Sequence, residues 1–264
     1  MNIQQIRNAT LKITYHGKTF LLDPWLCGKG ETGSFNDIPG RPFSTPEPVQ
    51  MNIAMPISPL PMDVRGVLDG VDYYIVTHLH PDHIDIAADG TVGAPLDKKV
   101  PVFAQNEDDA AVLKKSGFQD VRVLTAEGLT VDGVKLQKMP GRHGTVVPCG
   151  EAMGVLVSAA DEESLYIAGD TIWYEGVEKT LKTYKPAVVA LNACAAETVE
   201  HGRLLMGDED VACVAQTLPS TKLFLTHMDT VSHAALTRRM LRGLLAMRGV
   251  TGYVMPEDGE SVAF

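Results

Sequence analysis

Three histidines and two aspartates fall within residues 76–85, VTHLHPDHID, in a chain of 264 residues with only eight histidines. His78 and His80 stand two apart, so in extended backbone both side chains point to the same face. Two imidazoles placed that way can chelate one ion at about 2.0–2.1 Å. Asp82 and His83 are adjacent, and a turn at Pro81 would aim them at a second ion beside the first. Imidazole and carboxylate together suit zinc, manganese or iron better than calcium or magnesium. A lone buried histidine is usually structural; His78, His80, Asp82 and His83 together are hard to read that way.

The surrounding elements must carry further donors to this stretch. Three apolar runs end in a ligand-type residue: YYIVTH in His78, LYIAGD in Asp170 and LFLTH in His227. In layered α/β proteins, sites gather where strands end and loops begin. Asp170 in AGDT also suits a helix N-cap, and His143 in GRHG could be a plain loop residue.

ATLKITYHGKTFLLDPW reads as two strands around an HG turn, the second stopped at Asp23-Pro24. VDYYIVTH, VPVFAQ, VRVLT, LTVDGVKLQKMP, AMGVLVSA, SLYIAGD, AVVALNA and KLFLTH read as further strands, with DG at a hairpin turn. Helices are expected over NEDDAAVLKKSG, capped by Asn106 and stopped at Gly117, and over YEGVEKTLKTYKP, GDEDVACVAQTLP and SHAALTRRMLRGLLAMRG. GYVMPEDGESVAF closes the chain with strand and turn. No solenoid period and no linker divides the sequence, so one α/β domain over 1–264 with two sheets is the simplest organisation. Residues 27–61 form a long Gly- and Pro-rich loop. Its Phe35, Phe43, Met51, Ile53, Met55, Ile57 and Leu60 suggest that it packs over a cleft.

The net charge of −10 disfavours nucleic-acid partners. The arginines of LTRRMLRGLLAMR spread over several faces and read as a solvated surface. Cys27, Cys149, Cys194 and Cys213 form no CxxC pair. The first residues lack the pattern of a signal peptide, and no apolar run nears the roughly 20 residues of a membrane span. A cytoplasmic setting and a small-molecule substrate are expected, with a homo-oligomer left open.

THLHPDH resembles the H-x-H-x-D-H signature of the metallo-β-lactamase fold, and the resemblance extends from LLDPW to the last helix. It implies a four-layer αββα fold, with two mixed sheets sandwiched between helices. The family adds a His, an Asp and a His at strand ends, matched here by His143, Asp170 and His227. The resemblance implies one metal on His78, His80 and His143 and a second on Asp82, His83 and His227. Asp170 would bridge them, with a water or hydroxide between. The implied cofactors are two divalent ions, Zn2+ first, with Mn2+ or Fe2+ as alternatives. Iron redox members carry Glu where this chain has His80, and some true β-lactamases carry Cys where it has Asp170. LLDPW, LLMGDEDV and THMD look like the branch of ascorbate-6-phosphate lactonase and N-acyl-phosphatidylethanolamine phospholipase D.

The function so implied is metal-dependent hydrolysis of a small ester, lactone or phosphodiester, with Asp82 and Asp170 nearest the chemistry. Two ions lower the pKa of a shared water toward about 7. A nuclease on the same fold is disfavoured by the acidic charge and the lack of an RNA-binding arm. A non-catalytic sensor is disfavoured by the complete ligand set, and a redox role by the lack of a flavin domain. Asp23 either fixes a ligand histidine or merely ends its strand. Trp25 and Trp173 either line the pocket or wedge the core. His233, near the start of the last predicted helix, reads as capping or exposed, yet is kept as a substrate-contact candidate. His16 and His201 read as exposed, Tyr74 as core and Cys194 as a small buried filler. Arg41, Arg142 and Arg203 are the candidates for holding a phosphate. Leu79 is expected to face the core, and Asp85 has no assigned role.

Overall fold

The computed structural model describes residues 1–38 and 40–264. The chain begins with β1 (Asn2–Arg7), β2 (Thr10–Tyr15) and β3 (Lys18–Leu22), then α1 (Val64–Leu68), β4 (Tyr73–Ile75), β5 (Val102–Ala104), α2 (Glu107–Lys115) and β6 (Val121–Val123). It continues through β7 (Leu129–Val131), β8 (Val134–Pro140), β9 (Met153–Ala159), β10 (Glu162–Ile167), α3 (Glu175–Tyr184) and β11 (Val188–Asn192). It ends with β12 (Glu197–Thr198), β13 (Gly202–Arg203), α4 (Asp208–Thr217), β14 (Lys222–Thr226), α5 (Arg238–Met247), β15 (Tyr253–Val254) and β16 (Ser261–Ala263).

Two sheets of seven strands result, ordered β16-β1-β2-β3-β4-β5-β6 and β15-β14-β11-β10-β9-β8-β7. Both are mixed: β3 to β6 run parallel in the first, and β10, β11, β14 and β15 in the second. Alternation along the strands sends side chains to both faces. Ile3, Leu11, Ile13 and Phe20 meet Val134, Leu136, Val155 and Ile167 between the sheets. Leu21, Tyr74 and Val102 pack outward on Val67 of α1 and on Ala110 and Leu113 of α2. Leu156, Val189 and Leu225 pack outward on Val177 and Leu181 of α3, Val211 of α4, and Leu241 and Leu245 of α5. The order of layers is helix, sheet, sheet, helix, as expected, and Tyr74 is core.

Local signals placed most elements well. Asn106 Oδ1 accepts from Asp109 N, and Gly117 takes φ +95° just past α2. Asp132 and Gly133 turn the β7–β8 hairpin with φ of +45° and +82°, which suits that dipeptide. The last helix needs correction, since it starts at Arg238 and not at Ser232. The N–H groups of Ala235 and Leu236 donate to Cys194 O instead, and Thr237 caps the helix by accepting from Met240 N. Nor is its basic face wholly solvated, because Arg238 is buried against Asp229 and Asp258 at 2.9 and 2.6 Å. Strand β1 was not foreseen. Its buried Gln5 and Arg7 break the apolar alternation that marks a strand.

The loop over residues 27–61 is clamped at both ends. Arg7 donates to the carbonyls of Trp25, Cys27 and Ser58 at 3.0, 2.9 and 3.2 Å. Asp85 accepts from Leu26 N and Cys27 N, which gives it the role the sequence did not suggest. Leu79 is half-buried and packs on the α1–α2 side of the core.

Candidate metal centre

β4, β10 and β14 run parallel within their sheets and deliver His78, Asp170 and His227 just past their C-terminal ends. His143 follows β8, and His80, Asp82 and His83 follow His78. Donor atoms of His78, His80 and His143 lie within 4.8 Å of one another, as do those of His78, His83 and Asp170, and those of Asp82, His83 and His227. The three sets overlap, so the seven side chains form one continuous cluster. All are buried except His80, which is half-buried.

Four of the five histidines in the cluster are aimed from behind. Thr77 Oγ1 donates to Asp23 Oδ2 at 2.7 Å, so it accepts from His78 Nδ1 at 3.0 Å. His83 Nδ1 donates to Asp23 Oδ2 at 2.8 Å, and His143 Nδ1 to Leu204 O at 3.2 Å. His227 Nδ1 donates to Cys194 Sγ at 3.6 Å. Four Nε2 atoms are thereby left facing inward, as metal-ligating histidines require. Cys194 is the buried small residue expected, but it also orients His227.

The inward atoms crowd one another, with His83 Nε2 and Asp170 Oδ2 at 3.2 Å the one good hydrogen-bonding pair described among them. His83 Nε2 lies 3.1 Å from His227 Nε2, and His78 Nε2 lies 2.9 Å from His80 Nδ1. Asp82 Oδ2 is buried without a hydrogen bond. Crowded ring nitrogens and an orphaned carboxylate oxygen suit cations better than a hydrogen-bond network. Asp170 is central: Oδ2 lies 3.7 Å from His78 Nε2, 3.7 Å from His143 Nε2 and 3.2 Å from His83 Nε2, and Oδ1 lies 3.7 Å from His227 Nε2. Asn192 Nδ2 holds Oδ1 at 2.5 Å.

Protonation divides the cluster. Burial pushes His78 well below the usual histidine range, lowers His143, and brings His80 to about 4. Burial alone would lower His83 too, but Asp170, Asp23 and Asp82 outweigh it and raise it to about 10. His227 is also raised against its burial, chiefly by Asp170. Burial favours protonation of Asp82 and Asp170, yet the surrounding histidines hold both well below the usual carboxylate range.

At neutral pH, His78, His80 and His143 are therefore ready to bind, whereas the His83–His227 pair holds at least one proton that a cation must displace. A raised pKa means that this proton leaves only as pH climbs toward about 10. If each set takes a cation, affinity at Asp82, His83 and His227 should rise about tenfold per pH unit for each proton displaced, and affinity at His78, His80 and His143 should stay nearly flat above pH 7. Titration calorimetry in buffers of different ionisation enthalpy measures the protons released at each step; equal release at both would contradict the division.

Other expectations fare unevenly. Asp23 is buried with φ +42° and accepts from Thr77 N, Thr77 Oγ1 and His83 Nδ1, so it both ends its strand and holds a histidine of the cluster. Trp25 is wholly buried with Met55 and Val231, and Trp173 packs on the helix-side core; neither lines the cavity beside the cluster. His201 is half-buried on Phe43, and half-buried His16 meets Asp161 at 2.6 Å. His233 corrects its capping or exposed reading: it lies in the turn before α5, largely buried, with Nε2 3.7 Å from Asp82 Oδ2. Burial brings its pKa to about 4.

Sequence reasoning missed Asn8, Thr77 and Asn192. Asn8 Nδ2 donates to Asp82 O at 3.0 Å and approaches His227 Nε2 at 3.2 Å. Its φ of +51°, one that Asn tolerates, fits its position between β1 and β2. Little in the local pattern marks these residues.

The cavity that opens on the cluster has an empty volume of about 560 Å3, its open mouth included. Phe35, Ile38, Phe43, Met55 and Leu204 form its apolar wall, and His80, Asp82, His143, Asp170 and His233 its polar end. Phe35, Ile38, Phe43 and Met55 of the stretch 27–61 thus line the cavity. No Lys or Arg is among the lining residues, and Arg41, Arg142 and Arg203 all lie elsewhere.

Layered sheets with this cluster at their strand ends define a known class, and the chain belongs to the β-lactamase superfamily: the profile of the "Beta-lactamase superfamily domain" family matches residues 20–228. More particularly, it is similar to the UPF0173 protein YddR of Bacillus subtilis, with 37% identity covering 100% of both chains. Among solved structures it resembles an isothiocyanate hydrolase from Delia radicum gut bacteria, with TM-score 0.89, 35% identity, and 100% and 99% of the two chains covered. It equally resembles a possible metal-dependent hydrolase from Veillonella parvula, with TM-score 0.89, 33% identity and the same coverage. Among the described residues, no helix is long and apolar enough to cross a membrane.

Proposed function

We propose that this metal-dependent hydrolase works with a dinuclear centre and cleaves a small, uncharged electrophile. The position of Asp170 carries the reading, because its carboxylate lies between the His78, His80 and His143 set and the Asp82, His83 and His227 set. Two divalent ions held there would activate water near neutral pH and polarise the attacked atom.

The chain's own groups supply the rest. Asp23 and Thr77 fix the rings of His83 and His78, and Asn192 fixes Asp170, so little reorganisation is left for the reaction. Phe35 and Phe43 line the approach, and an apolar wall there would strengthen the charge interactions inside. Asp82 Oδ2, free of protein hydrogen bonds, would be left to serve as a metal ligand at the polar end of the cavity.

The wall favours an apolar substituent on a neutral reacting group. A phosphodiester or nucleic acid would bring a charge for which the lining offers no cationic side chain. The similar isothiocyanate hydrolase supports an isothiocyanate, R–N=C=S, as the first substrate to try, followed by small esters and lactones. A screen of metal-loaded protein should find turnover of neutral isothiocyanates or esters and none of phosphodiesters; preference for the phosphodiester would overturn the assignment.

A further inference from the structure

We propose that His233 touches the substrate, donating through Nε2 a hydrogen bond to the heteroatom on which negative charge develops. This rests on the hydrolytic reading above. His78, His83, His143 and His227 each spend Nδ1 on a protein acceptor and belong to a donor set. His233 does neither. It stands outside all three sets, its Nδ1 is buried without a partner, and its Nε2 is too far from Asp82 Oδ2 for a hydrogen bond.

A largely buried imidazole with no protein partner needs an explanation. The ring meets Phe35 edge-on, with centroids 5.5 Å apart and planes at 71°, which fixes it at the cavity wall. Of the other polar lining groups outside the donor sets, Thr198 Oγ1 accepts from His201 N and keeps only a neutral hydroxyl donor, and Cys149 offers only a weakly donating thiol. His233 therefore brings a strong, uncommitted donor to the apolar wall, where a preorganised hydrogen bond favours the charged transition state over the neutral substrate.

Cobalt-substituted protein gives a readout besides turnover. Thiocyanate, a linear anion with the N–C–S skeleton, is titrated while the visible cobalt bands are followed. His233→Ala should keep the wild-type cobalt content and resting spectrum, yet bind thiocyanate about tenfold more weakly, the worth of one hydrogen bond to a charged group. Its kcat on a neutral isothiocyanate or ester should fall about a hundredfold with KM little changed. His233→Gln, which places an amide N–H near the Nε2 position, should restore part of both. Unchanged thiocyanate affinity in His233→Ala would overturn the proposal, and so would loss of a cobalt ion, which would make His233 a ligand. If the wild type turns over no neutral electrophile, the hydrolytic reading fails, while the thiocyanate titration still decides whether His233 contacts a ligand.

Discussion

Asp170→Ala is expected to fold, to hold its ions weakly, and to lose about a thousandfold or more in turnover. Its carboxylate lies within 3.7 Å of four histidine nitrogens, more of the cluster than any other acid reaches. Without it, two cations would face each other with no shared anion. Several kcal/mol of charge stabilisation would be lost, and each 1.36 kcal/mol is worth about tenfold in rate. The metal-free protein is affected in the opposite sense at the histidines. Asp170 is the largest cause raising His83 and His227, so both should lose their protons at lower pH in the variant. Turnover and metal content measured together check this; an active variant with a full metal complement would remove Asp170 from the centre.

Asp23→Asn is the second large effect, and it acts from behind the cluster. Asp23 accepts from Thr77 N, Thr77 Oγ1 and His83 Nδ1. An asparagine fits the space and tolerates φ +42°, so the backbone is not disturbed. Its NH2 group, however, must face at least one of those donors. A buried donor left unsatisfied costs about 1–3 kcal/mol. His83 also loses the acceptor that fixes its ring, so affinity at the Asp82, His83 and His227 position should fall about 10–100-fold. The His78, His80 and His143 position should be less affected, although Thr77 links it to the same carboxylate. Stepwise metal titration separates the two, and a uniform loss at both would argue for general unfolding.

The cluster was legible in the sequence to the extent that its members lie close along the chain or at the ends of apolar runs. Residues 78–83 sit within six positions, and Asp170 and His227 end two plainly apolar runs. The elements that place them were legible for the same reason, with α2 bounded by its cap and stop residues. What supports the cluster was not. Asp23 reaches His83 across 60 residues, Cys194 reaches His227 across 33, and Asn8 reaches it across 219. Such contacts arise from how β1, β3 and β4 align within one sheet, how β11 and β14 pair within the other, and how the two sheets face each other. His233 was misread for a related reason: the amides before Arg238 are taken by Cys194 O, so a helical pattern in sequence became a turn that tucks the ring inward.

The proposed function requires two adjacent cation positions that share Asp170. Counting ions by elemental analysis of purified, metal-replete protein tests it most directly. Two zinc, manganese or iron ions per chain are expected, falling to one or fewer in Asp170→Ala; a wild-type chain that saturates at a single ion, or at none, would rule out a shared Asp170.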